Sequence, residues 1–105
     1  MIEALFDPLI HPPKRLGAMA MLGAAGWVEF SFLRENLAVS DSDLSKQMAA
    51  LCEAGYAKVR KRGHGPGSKT WFAITPVGRS ALERHIAALR DLVECAPVAP
   101  QPADH

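Results

Sequence analysis

Apolar positions recur along this chain with several different spacings, and each spacing predicts an element. From Pro13 to about Ala25 they fall on nearly every side of a helix (Leu16, Met19, Ala20, Met21, Leu22), so a first helix is expected to be covered all round, by the core or by a partner subunit. Pro12 and Pro13 suit its start, because two fixed φ angles and two missing N–H groups are tolerated only there. Ahead of it runs a short apolar-acidic lead-in, Met1 to His11. Gly26 stops the helix, and Trp27 to Phe30 alternates like a short strand. Ser31 is expected to cap a second short helix, Phe32 to Leu37.

Further on the periods separate cleanly. Ser40 is an expected N-cap, with Asp41 and Asp43 in a first turn where the helix dipole favours negative charge. Leu44, Met48, Leu51 and Cys52 then form one stripe at helical period, to about Ala54, with Gly55 as a left-handed stop. Ser42, Lys46, Ala49, Ala50 and Glu53 fall opposite that stripe, with Ser45 and Gln47 on its flanks. Tyr56 to Arg62 and Thr70 to Thr75 alternate with period two around a glycine-rich connection, which predicts a hairpin. Thr75 and Pro76 open a fourth helix to about Glu94, where Leu82, Ile86, Leu89 and Val93 repeat like a coiled-coil seam. Residues 96–105 carry three prolines and are expected to be a disordered tail, leaving 1–95 as one domain.

Composition narrows the class. At 105 residues with 49% hydrophobic positions, the chain supports one globular core and leaves no room for a large catalytic domain. Its longest mostly apolar run, Leu16 to Val28, is interrupted by glycines and too short to cross a bilayer. No export signal is recognisable, and two cysteines without a CxxC spacing, Cys52 and Cys95, suit a reducing cytoplasm. The formal charge is only +1, yet Lys46, Lys58, Arg60, Lys61, Arg62 and Lys69 stand against the single acid Glu53, so residues 46–69 carry a net +5. Compensating acids lie elsewhere, at Glu3, Asp7, Glu29, Glu35, Asp91, Glu94 and Asp104. Such segregation matters more for a polyanionic partner than the overall charge does.

The order helix, short strand, helix, turn, helix, hairpin, helix is the layout of a winged helix. With Phe6 to His11, Arg15-Leu16, Met19 to Leu22, Phe30 to Arg34, Leu44 to Lys46, Leu51, Glu53 to Tyr56, Thr70 to Phe72 and Thr75 to Arg79 in this order, the chain resembles the MarR/ArsR-like winged-helix transcriptional regulators. It is most similar to a compact bacterial branch of winged-helix DNA-binding domains, over about Leu5 to Leu92. The resemblance implies a mainly helical α+β fold with a two-stranded wing and a C-terminal dimerisation helix. It also implies a homodimer acting on double-stranded DNA, with the third helix in the major groove and the wing on the backbone or minor groove.

On that reading Ser42, Ser45, Lys46 and Gln47 are the candidates for base edges, because small or hydrogen-bonding side chains there leave the helix free to enter a groove. Lys46 suits guanine or phosphate, and Gln47 suits adenine if it turns into the groove. Arg60, Lys61, Arg62 and Lys69 flank the glycine-rich tip and suit phosphates, with Arg60 and Arg62 expected on one strand face and Lys61 on the other. Asp41 and Asp43 count against DNA unless they act as caps. Leu82, Ile86, Leu89 and Val93 are the expected dimer interface. Gly63 to Thr70 looks like a broken phosphate loop but leads into a strand, so nucleotide binding through it is rejected. His85 and Cys95 are too few and too far apart for a metal site, and neither metal, cofactor nor catalysis is expected. A small-molecule effector in a dimer cleft lined by Trp27, Met19 and fourth-helix residues stays open. A winged-helix module that binds protein instead of DNA is the rival reading.

Overall fold

The computed structural model describes residues 6–103, so Glu3, Leu5 and Asp104, together with the outer ends of the lead-in and tail, lie outside the described residues. The elements are α1 (Pro13–Ala24), β1 (Val28–Glu29), α2 (Phe30–Leu37), α3 (Asp41–Glu53), β2 (Ala57–Arg62), β3 (Lys69–Ile74) and α4 (Pro76–Glu94). This is a mainly helical α+β winged helix. Most boundaries follow from local chemistry. The Asp43 backbone N–H donates to the Ser40 hydroxyl and the Gly78 N–H to that of Thr75, so both expected caps form. Gly55 takes the left-handed φ of +79° that ends α3.

Two local readings are corrected. Ser31 is not a cap: α2 begins two residues earlier than expected, at Phe30, with Glu29 in the capping position, and the Ser31 hydroxyl donates to the Glu29 carboxylate at 3.0 Å. The strand-like run at Trp27 to Phe30 shortens to β1, which pairs antiparallel with β3. The sheet therefore has three strands in the order β1-β3-β2, with Val28 opposite Phe72 and Phe72 opposite Val59. Pairing β1 to the inner side of the hairpin satisfies an edge that the wing alone would leave bare.

The core sits where α1 meets the other elements. Met19 and Leu22 of α1, Leu33 of α2 and Leu44, Met48 and Leu51 of α3 are fully or almost fully enclosed, with Ile10, Val28 and Phe72 completing the cluster. Each such side chain is worth about 1.5–3 kcal/mol in removal from water. The chain itself therefore covers α1 only in part: Leu16 and Met21 are half-buried against the cluster, and Ala20, expected to be covered, is exposed. Cys52 is half-buried against this cluster, and burial pushes its thiol above the ordinary range. Residues 96–103 form no helix or strand and are exposed throughout.

The start of α4 is set by a close approach. A Cβ on Gly78 would lie 2.1 Å from the Tyr56 carbonyl oxygen, so only glycine lets the first turn of α4 rest on the backbone at the base of the wing. Two hydrogen bonds clamp the same junction: Thr75 N–H to the Tyr56 carbonyl at 3.1 Å, and the Thr75 hydroxyl to the Gly55 carbonyl at 2.6 Å. The wing, α3 and α4 consequently share one anchoring point.

Candidate nucleic-acid interface

Burying the Leu44, Met48 and Leu51 stripe turns Ser42, Ser45, Lys46 and Ala49 outward, and all four are exposed. Repulsion of an anion by the two first-turn acids is reduced, because each has a cation from another helix. Arg34 of α2 pairs with Asp41 at 2.8 Å, which raises the Arg34 pKa, and Lys14 of α1 pairs with Asp43 at 2.5 Å. The Gln47 amide and then Lys14 hold the Asp43 carboxyl below the ordinary carboxylate range, so it stays ionised and neutralised.

Gln47 departs from its expected role. Its amide nitrogen donates to Asp43 at 2.9 Å, and its carbonyl oxygen accepts from Arg15 Nη1 at 2.8 Å. Arg15 in turn donates through Nε to the Leu9 carbonyl. Gln47 is therefore a bracing residue between α1 and α3, half-buried, with both ends of its amide engaged. Arg15 carries no sequence signal of this role, since its partner lies thirty-two residues away.

Strand register divides the wing cations as parity requires. Val59, Lys61 and Thr70 face α3 across a groove of about 290 Å³ that Ser45 and Ala49 also line. Lys58, Arg60 and Arg62 lie on the opposite face of the sheet, where the Arg60 guanidinium sits 4.4 Å from the centre of the Trp27 ring and Lys58 Nζ 5.4 Å from it. Arg62 and Lys69 are register partners at the foot of the tip, where Gly63, Gly65 and Gly67 all take positive φ. So Lys61 is the wing cation nearest the exposed face of α3, while Arg60 is stacked on the far side of the sheet.

Trp27 therefore belongs to the outer sheet face, and Met19 is fully buried in the core. A cleft lined by both does not exist in the protomer. Leu82 is likewise corrected: only 6% exposed, it belongs to the core of its own chain and is withdrawn from the expected interface. Ile86, Leu89, Leu92 and Val93 remain exposed or half-buried along α4.

A further cluster, with no signature in the local sequence pattern, lies at the middle of α4. His85, 1% exposed, accepts a hydrogen bond from the Asp7 backbone N–H on Nδ1 at 3.0 Å, and its Nε2 lies 3.3 Å from His11 Nδ1. An acceptor Nδ1 requires the neutral ring to carry its proton on Nε2, which can then donate to His11. Burial, then the neighbouring His11, holds the His85 pKa below its ordinary value, against the pull of the Asp7 carboxylate. That carboxylate accepts from the Tyr56 hydroxyl at 2.6 Å, which raises the Tyr56 pKa, and from the Leu9 N–H at 2.9 Å. Phe6 stacks on His11 with ring centres 5.2 Å apart. The cluster straps the lead-in to α4, joining residues more than seventy positions apart. Among the described residues no group of three or more His, Cys, Asp or Glu could hold a metal ion, and no helix is long and apolar enough to cross a membrane.

A helix-turn-helix whose second helix presents an exposed face beside a β-hairpin on a small antiparallel sheet defines a winged-helix protein. Residues 14–93 match the family model described as winged helix DNA-binding domain, and the chain belongs to that family. It is 30% identical over 84 residues to the uncharacterized protein MJ0432 of Methanocaldococcus jannaschii, covering 77% of this chain and 91% of that one. Its fold is similar to that of the transcriptional regulator homologue protein from Pyrococcus horikoshii OT3, with a TM-score of 0.80 at 22% identity over 91% of this chain and 95% of the other. It is also similar to that of Sco3205, a MarR family transcriptional regulator from Streptomyces coelicolor solved in complex with DNA. There the TM-score is 0.65 at 18% identity, over 92% of this chain and 67% of that one.

Proposed function

We propose that this protein is a cytoplasmic transcriptional regulator that binds a pseudopalindromic operator as a homodimer, without catalysing a reaction. The observation that carries the reading is the exposed face of α3. Ser42, Ser45 and Lys46 are exposed toward a major groove, both first-turn carboxylates are neutralised from α1 and α2, and Lys61 lies across the adjoining groove. Arg62 and Lys69 at the foot of the glycine-rich tip supply charge for the backbone or minor groove. Homodimerisation rests on Ile86, Leu89 and Val93, the part of the α4 seam that its own chain leaves uncovered. The neighbour solved with DNA supports the partner class.

Selection of bound duplexes from a random pool, followed by titrations at several salt concentrations, tests this. An inverted repeat should be enriched. Arg62→Ala with Lys69→Ala should weaken all duplexes alike and lower the salt slope by about one to two units, at roughly 0.9 per phosphate no longer neutralised. Ser45→Ala or Lys46→Ala should cost about 1–3 kcal/mol on the selected sequence for each base-edge hydrogen bond removed. Weak binding without salt dependence would overturn the reading in favour of a protein-interaction module.

A further inference from the structure

The chain has two tryptophans, forty-four positions apart, and the fold brings both to the outer face of the sheet. They line two adjoining hollows. One, of about 300 Å³, is bounded by Trp27, Trp71, Arg60 and Arg62. The other, of about 320 Å³, is bounded by the same two rings with Ala25, Val28, Glu29 and the exposed Phe32. This face points away from the α3 side of the wing, so major-groove reading does not account for its tryptophans, although Arg62 and Lys69 are shared with the backbone contacts proposed above.

Half-exposed indoles beside guanidinium groups combine a stacking surface with anion recognition. The charge is not balanced internally. Lys69 lies 3.9 Å from Glu29, whose other carboxylate oxygen accepts from Ser31, but Lys58, Arg60 and Arg62 have no acid partner among the described residues. One bidentate arginine satisfies a monocarboxylate. Two arginines two residues apart on one strand face, with Lys69 opposite Arg62, suit a group carrying nearly two negative charges, as a phosphate monoester does.

We propose that the Trp27–Trp71 face is a binding site for a nucleoside monophosphate, its base lying on the indoles and its phosphate held by Arg60 and Arg62. Because Arg62 and Lys69 also stand among the proposed DNA contacts, the site is tested on the free protein, without DNA. Both indole N–H resonances report on it directly, with no other tryptophan to confuse the assignment.

The test is a nuclear magnetic resonance titration of the full chain with 5′-AMP, following those two resonances. Saturable shifts of both in the submillimolar range are expected. Adenosine and inorganic phosphate should each bind at least about tenfold more weakly, since each engages only one half of the site. The Arg62→Gln variant, which leaves Arg60 in place on the Trp27 ring, should lose at least about half of the affinity difference between AMP and adenosine. Undisturbed core methyl resonances show that the variant is folded. Absence of indole shifts at millimolar AMP, or equal affinity for adenosine and AMP, would overturn the proposal. Tighter binding of 2-naphthoate than of AMP would also overturn it, by assigning the face to an aromatic carboxylate.

Discussion

One apolar seam runs along α4 from Leu82 to Val93, but the two halves of the helix meet opposite fates. From Pro76 to His85 the helix is locked: Gly78 rests on the Tyr56 backbone, Ala81 and Leu82 enter the core, and His85 is tied to the lead-in. From Ile86 to Glu94 no residue is buried, and Val93 is 77% exposed. A regular seam therefore says that a helix has an apolar face, and only the surrounding elements say where cover by its own chain ends. The first half belongs to stability, whereas the second is free for assembly.

The sharpest way to break this contrast is at Gly78. Gly78→Val would place its side chain into the Tyr56 carbonyl, where backbone cannot yield cheaply, and should destabilise by about 3 kcal/mol or more. Urea denaturation would show it as a lowered midpoint or as loss of the folded baseline.

Next in size is a matched pair on the seam. Leu82→Ala should cost about 2–5 kcal/mol by removing buried surface and leaving a cavity. Leu89→Glu should cost the protomer far less and instead shift sedimentation from dimer to monomer at tens of micromolar. A wild-type protein that already sediments as a monomer there would remove the assembly role of the second half.

His85 marks the border and gives a pH-dependent effect. Its folded-state pKa lies below its ordinary value, so between the two the unfolded chain binds more protons. Stability is then complete above the ordinary value, near 6.5, and falls as the pH drops through the folded value. His85→Gln can accept from Asp7 N–H and donate to His11 without titrating. Comparing urea midpoints at about pH 7.5 and about pH 5.5 should therefore show a smaller difference for the variant than for the wild type.

The smallest effect is expected at the far end of α4. Cys95 is exposed and contributes only its backbone N–H to the helix terminus, so Cys95→Ser should change stability by less than about 0.5 kcal/mol. DNA affinity should also be the same under reducing and oxidising conditions.

The wing shows the same division in another form. Alternation alone separates Arg60 and Arg62 from Lys61, and the register confirms it, but which face turns toward α3 is not a property of the strand. That orientation follows from burying Phe72 and Val28 on the core side, and it carries Arg60 to Trp27. On α3 the same limit appears one residue at a time: Lys46 and Gln47 are adjacent and polar, yet one is exposed and the other is held between Arg15 and Asp43.

Helix starts at Ser40 and Thr75, the stop at Gly55, the hairpin and the winged-helix order were all determined by the sequence itself, because caps, turns and periodicity act over a few residues. Tertiary structure alone decided the third strand, the withdrawal of Leu82 into the core, the bracing of Gln47, the Asp7–His85–His11 strap and the pairing of the tryptophans on one face. Each of these depends on which distant segment arrives as a neighbour. A local pattern can show that a side chain has a partner to find, but the identity of that partner is set by how the whole chain packs.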